Sequence, residues 1–449
     1  MFKKIGIGLI AVALIGCNKF LEVEPKESIS DELAITDKTS LNTAVRGLYR
    51  TLADNGYYGE GYVNLGFVPS GEITYNVFNN VSNLNFRPDD AAFVDTWAAI
   101  YATINIANHI IQKASQVQDV NLTDIERNTI VGEAHFVRAL AYFDLARGWG
   151  GVPLKLEPTT SLVSNEQIAR SSREEVYAFV RQELDLAESL LPEEVNRVRA
   201  TKYTVWALRA RLDLYTKNWD EAIDYATKVI GLTDAYKLVK PFSAWFSNGA
   251  VQTPESIFEL AHSAQNPSGL RTRMSLLSNG GEYRYAPSEP VVKTLQHPAT
   301  GGDRIALLDS ATQSGVKLYA GALYYRSPAT DPSYVLRIAE QYLIRAEAKA
   351  EIDDAAGALS DLNQVRERAG LQALTTQSID VLKDAVLEER RLEFLWEAQR
   401  YFDLARTGKL KEKIEALKPN LTITEHLNLF PIPIDEVNLG GLKQNPGYE

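Results

Sequence analysis

Cysteine is all but missing from the 449-residue chain, which has only Cys17. A lone thiol excludes any intramolecular disulfide, so the fold must rest on burial and hydrogen bonding. Histidine is scarce too: His109, His135, His262, His297 and His426 lie scattered, with no pair at metal-ligand spacing, and no metal site is expected. Positive charge is in deficit, with 47 Lys and Arg against 58 Asp and Glu and a formal net charge of −11. Such a chain gains nothing from a polyphosphate backbone, which argues against nucleic acid as a partner. No Walker-type loop and no Gly-x-Ser-x-Gly elbow occurs, so neither a cofactor nor a catalytic residue is assigned. The acidic pairs Asp89-Asp90 and Glu388-Glu389 are neighbours in sequence, which rarely face one another across a sugar, and they read as solvated acids. The expectation is a protein that binds and does not catalyse.

Long apolar runs are also lacking. The uncharged stretch from Ile5 to Gly16 falls short of the roughly 20 residues that a bilayer span needs. It follows Lys3 and Lys4 and ends in Leu14-Ile15-Gly16-Cys17, which resembles an export signal closing on a bacterial lipobox. Residues 1–16 then read as a signal peptide, and Cys17 as the diacylated first residue of the mature chain. Cleavage would remove two lysines and no acid, leaving 45 bases against 58 acids, or −13. The acyl chains on Cys17, not a basic patch, would do the anchoring, and residues 18–40 read as a polar tether leading to the first helix.

Helix-like windows dominate the remainder, and no Pro/Gly/Ser-rich stretch is long enough to divide it, so residues 17–449 read as one domain. Two windows repeat one pattern. In 202–231, Trp206 and Ala210 precede a break at Lys217-Asn218, then Trp219 and Ala222 follow. In 334–369, Tyr342 and Ala346 precede a break at Asp353-Asp354, then Ala358 follows. The alanines stand twelve positions apart in both, the internal spacing of a tetratricopeptide helix pair. An arginine directly before a small residue recurs at Arg46-Gly47, Arg138-Ala139, Arg209-Ala210 and Arg345-Ala346. Helix pairs are therefore expected near 39–115, 124–191, 202–231 and 334–369, with C-terminal helices over 378–418. The predicted fold is mainly α, a tetratricopeptide-like helical-repeat scaffold carrying long loop-rich insertions.

Four ordered segments carry a family resemblance: CNKFLEVEP from Cys17, GEAHFVRALAYFDLARGWGGVPL from Gly132, SDLNQVRERAGL from Ser360 followed by EERRLEFLWEAQRYFDLARTGKL from Glu388, and LFPIPIDEVNLGGLKQNPGYE from Leu429. Together they resemble the signature segments of SusD/RagB proteins. The chain departs from the family at Ala398-Gln399, where Gly-His is frequent, a change expected to touch packing and not binding. The resemblance implies a cell-surface lipoprotein of the outer membrane that binds an oligosaccharide or polysaccharide and works as a lid over a SusC-like TonB-dependent transporter. Alternatives are a tetratricopeptide scaffold for protein partners and, behind it, a surface glycoside hydrolase.

A sugar offers apolar C–H faces fringed by hydroxyls, and a site for it combines aromatic rings with amide or guanidinium groups. The stretch from Asn55 to Phe86 supplies both, with Tyr57, Tyr58, Tyr62, Tyr75 and Phe78 among asparagines that include Asn64 and Asn76. Tyr75, Asn76 and Phe78 are the expected first wall of a ligand site, and Tyr283, Arg284 and Tyr285 its opposite wall. Trp245 reads as core. Arg271, Arg273, Arg284 and Arg304 make a locally basic stretch diluted by Glu282, Glu289 and Asp303, which leaves the ligand's charge open.

Overall fold

The computed structural model describes residues 35–75, 80–159, 168–376 and 378–449. Cys17, Asn76 and Phe78 lie outside them. Helices account for most of the described chain, in agreement with the mainly α, tetratricopeptide-like expectation. The first seven are α1 (Lys38–Leu52), α2 (Gly61–Phe67), α3 (Ala91–Ala114), α4 (Asp124–Trp149), α5 (Arg173–Leu190), α6 (Lys202–Tyr215) and α7 (Trp219–Ile230). Several start at capping boxes that fix the first turn. Asp37 and Ser40 close α1, Thr123 and Glu126 close α4, and Ser172 and Glu175 close α5. Among the described residues, no helix is long and apolar enough to cross a membrane.

α4 is the spine. Its side chains are buried all round from Gly132 to Trp149, as befits a helix enclosed by neighbours, and it packs between α3 and α5. α6 and α7 form an antiparallel pair joined by a tight turn with Lys217 at φ 59°. Helices α8 (Gly269–Met274) and α9 (Glu289–Gln296) belong to the long insertion, and α10 (Ile338–Glu351) and α11 (Ala355–Arg368) form the next pair. Their turn places Asp353 at φ 65°, the counterpart of Lys217. Ala210, Ala222, Ala346 and Ala358 are all fully buried, and the absence of bulk there lets the paired helices approach. Leu214 and Ala226 pack on Ile344 and Ala348, which stacks the second pair on the first.

Short strands tie the insertions to this scaffold. β1 (Ile73–Tyr75) pairs antiparallel with β3 (Tyr285–Pro287), and β2 (Ser256–Leu260) with β6 (Ser333–Arg337), which runs straight into α10. β4 (Leu308–Gln313) and β5 (Val316–Gly321) form a hairpin whose turn, Ser314 at φ 51° and Gly315 at φ 80°, has the positive φ values of a type I′ reversal. The chain ends in α12 (Ile379–Glu393), α13 (Arg400–Arg406), α14 (Leu410–Leu417) and α15 (Ile434–Asn438).

Charged residues from the signature segments turn inward. Arg337 meets Glu255 and Glu393 at 3.0 Å each and Glu397 at 2.6 Å. Arg368 meets Glu255 at 2.9 Å and also pairs with Glu393, while Arg304 reaches Glu389 at 2.6 Å and Glu393 at 2.8 Å. All of these side chains are buried. Of the two acidic pairs read as solvated, Asp89 is exposed and Asp90 half-buried, whereas of Glu388-Glu389 only Glu388 is exposed. Glu389 is buried because two cations, Arg304 and Arg366, converge on it from distant segments. Arg304, read from sequence as part of a locally basic stretch, belongs to this buried cluster, paired with Glu389 and Glu393. Trp245 is core as expected, its ring 4.2 Å from the Arg337 guanidinium.

Ala398 and Gln399 are both buried. A methyl group on Gly66 of α2 would come within 2.3 Å of the Ala398 Cα, so helix and loop backbone touch directly there. Gly66→Ala is expected to cost about 1–3 kcal/mol by overpacking, read as an earlier urea midpoint with an unchanged slope.

Candidate functional site

The Asn55–Phe86 aromatics divide between core and surface. Tyr57, Tyr58 and Tyr62 are fully buried, contrary to a ligand-facing loop, because their hydroxyls converge on the buried Asp144 of α4. Tyr57 and Tyr58 donate to one carboxylate oxygen at 2.7 and 2.8 Å, and Tyr62 donates to the other at 2.9 Å. Burial above all, with the Asp144 charge, pushes the phenols of Tyr57 and Tyr58 well up, so they remain donors. Arg147, one turn along α4, bonds both Asp144 and Tyr62, and its guanidinium lies 4.4 Å from the Phe402 ring centre.

After α2, a turn with Gly71 at φ 80° sends the chain into β1. Glycine is needed there because a side chain disfavours that left-handed conformation. Tyr75 then pairs with Tyr285 in the β1–β3 ribbon, their rings 5.2 Å apart and tilted by 53°. The two segments expected as opposite walls are thus adjacent strands of one wall, since direct pairing leaves no gap for a ligand between them. Tyr285 is only 3% exposed, its ring against Phe67 and its hydroxyl taking a 2.6 Å hydrogen bond from the Asn64 amide. Tyr75 is half-buried and offers the accessible ring.

The facing wall is the start of α3. A cleft of about 570 Å³ lies between α2, the ribbon and residues Ala91–Ala99, lined by apolar Leu65, Val68 and Ala92 and by polar Glu60, Asn64, Asp95 and Arg273. Arg273 donates to Glu60 at 2.9 Å and to Glu282 at 2.5 Å. That second bond holds the Glu282 carboxyl below the usual range. Arg284 also pairs with Glu282. Arg271 turns away to the carbonyls of Tyr325 and Asn279. Local acids therefore absorb much of the basic stretch read from sequence. Tyr283 does not line this cleft; at φ 48°, it donates to the Tyr319 carbonyl of β5 at 3.1 Å and straps the ribbon to the hairpin.

Sequence reasoning missed Glu60 and Asp95 as lining groups, and it marked Arg273 only as part of the basic stretch. The three come from different elements, and no local pattern shows that α2, α3 and α8 are brought together.

The signature segments that start at Gly132 and Leu429 serve packing. His135 and Arg138 share Glu183 of α5. Near the C-terminus, Asn445 donates to the Trp149 and Phe430 carbonyls, and Gln444 bonds both the N–H and the carbonyl of Ile432, locking the last residues onto α4.

Comparison with known proteins agrees with this architecture. The family model described as "SusD family" matches residues 312–448, and that described as "Starch-binding associating with outer membrane" matches residues 19–214. A SusD-like protein of Formosa agariphila is 24% identical, with 94% of each chain covered. A SusD-like protein of Bacteroides ovatus is 24% identical over 90% of this chain and 82% of its own length. Among solved structures, a SusD superfamily protein from Bacteroides vulgatus superposes with a TM-score of 0.81 at 25% identity, covering 92% of this chain and all of its own. A laminarin-binding SusD-like protein gives 0.78 at 21% identity, with 92% and 100% covered. With matching family models at both ends and the shared fold between them, the chain belongs to the SusD/RagB family.

Proposed function

We propose that residues 17–449 form a non-catalytic capture protein for an oligosaccharide or polysaccharide. It is held at the surface of the outer membrane by acyl chains on Cys17 and works with a SusC-like TonB-dependent transporter. The observation that supports this best is the Tyr75–Tyr285 ribbon beside the α2–α3 cleft, in a chain whose family is described as starch-binding and associated with the outer membrane. The half-exposed Tyr75 ring suits the apolar face of a sugar, with Asn76 and Phe78 following it in sequence. Asn64, Glu60, Arg273 and Asp95 supply donors and acceptors for its hydroxyls. The laminarin-binding neighbour lends weight to a glycan ligand.

The cleft's acids do not suit hydrolysis. A proton-donating carboxyl needs an apolar enclosure, whereas Glu60 lies against the Arg273 guanidinium, and Asp54 and Asp95 are exposed to solvent. Affinity electrophoresis of the mature protein through gels containing a panel of polysaccharides tests the reading. Retardation without new reducing ends is expected. Retardation with new reducing ends would make the protein a hydrolase, and passage through every gel at the control rate would contradict glycan capture.

A further inference from the structure

Three of the four arginines that precede a small residue serve the fold. Arg138 meets Glu183 at 2.7 Å, Arg345 meets Asp361 at 2.6 Å, and Arg209 pairs with Asp185, each acid standing on a neighbouring helix. Arg46 departs from the pattern. Its one side-chain hydrogen bond among the described residues is to the Thr43 hydroxyl at 2.7 Å, and no acid pairs with it there. Arg50 has neither a side-chain hydrogen bond nor an ion pair among the described residues. Both are exposed and line a second cleft of about 610 Å³, which meets the first at Asp54 and Asn55.

Four residues apart on α1, the two arginines lie on one face with Cβ atoms about 6 Å apart, a spacing that lets both guanidinium groups reach one anion. Behind them, Arg199 is neutralised by Glu133 at 2.6 Å and lies 5.0 Å over the Tyr49 ring, making a rigid wall and not a competing charge. Among the described lining residues Asp54 is the one acid, and its carboxylate already accepts the Gly56 N–H at 2.8 Å. The whole molecule carries −11 and repels polyanions at long range, so anion binding would have to come from a local site of this kind.

We infer that this second cleft is a subsite for an oxyanion-bearing sugar unit, either a uronate carboxylate or a sulfate ester. It would sit on the same glycan chain that crosses Tyr75, and the inference rests on the glycan-capture reading. The test is affinity electrophoresis through gels containing laminarin, polygalacturonate or a sulfated galactan, each at low and high NaCl. Polygalacturonate or the sulfated galactan should retard the parent, and which of the two does so identifies the anion. The R46A/R50A double variant should lose about tenfold in affinity for that polymer, and added salt should weaken the parent likewise. Both side chains are exposed, so the variant's melting temperature should match the parent's. Equal retardation of parent and variant by the anionic polymer, or retardation by laminarin alone, overturns the subsite and leaves glycan capture standing. Failure of every gel, including a broad neutral panel, overturns both.

Discussion

Glu393→Gln is expected to destabilise the protein by about 3–5 kcal/mol, the usual cost of breaking a buried ion pair from one side. Its carboxylate is shared by Arg304, Arg337 and Arg368, which arrive from the segment before β4, the end of β6 and the end of α11. An amide keeps the volume but leaves three buried cations with less compensating charge. Arg337→Met should cost a similar amount, because it removes the cation paired with buried Glu397 and one of the cations shared by Glu255 and Glu393. Urea titration measures both.

The same cluster gives a pH dependence of definite sign. Burial alone would raise the Glu393 pKa, but the three guanidinium groups outweigh it and hold the carboxyl at about 2, against an ordinary 4.5. A folded value below the unfolded one contributes stability that is complete above pH 4.5 and is lost as pH falls toward 2. Asp403 is lowered in the same sense by Arg390 and Arg406 against its burial. Glu397 runs the other way, its burial outweighing Arg337. The parent should therefore lose stability below pH 4.5 more steeply than Glu393→Gln does.

Asp144→Ala is the second large effect, also about 3–5 kcal/mol, since it removes the shared acceptor of three buried hydroxyls and the counter-charge of buried Arg147. Tyr58→Phe deletes one charge-assisted bond and should cost about 1.5–3 kcal/mol. A cost for Asp144→Ala no larger than for Tyr58→Phe would mean that the cluster is not a cooperative unit.

The helix pairs were legible because their pattern is local: a twelve-residue alanine spacing and a break in a fixed place specify two antiparallel helices without any distant partner. Tyr57 and Tyr75 show where that legibility ends. Both are tyrosines in one asparagine-rich stretch, yet one is drawn into the core by an aspartate 87 positions away, and the other is left at a cleft edge by a three-residue strand. Glu388 and Glu389 are adjacent in sequence, yet the helix turns one outward and the other toward Arg304, 85 positions away. The β1–β3 pairing was hidden for the same reason, because a ribbon joining residues 73–75 to 285–287 leaves no mark in either segment alone.

The most direct measurement is titration calorimetry of an oligosaccharide, prepared from whichever polysaccharide retards the parent, into the parent and Tyr75→Ala, with melting curves on the same samples. Loss of a sugar-stacking ring should weaken binding about tenfold or more while the melting temperature stays close to the parent's, because Tyr75 is only half-buried. Equal affinity in both proteins would contradict the assignment of the glycan to the Tyr75 cleft.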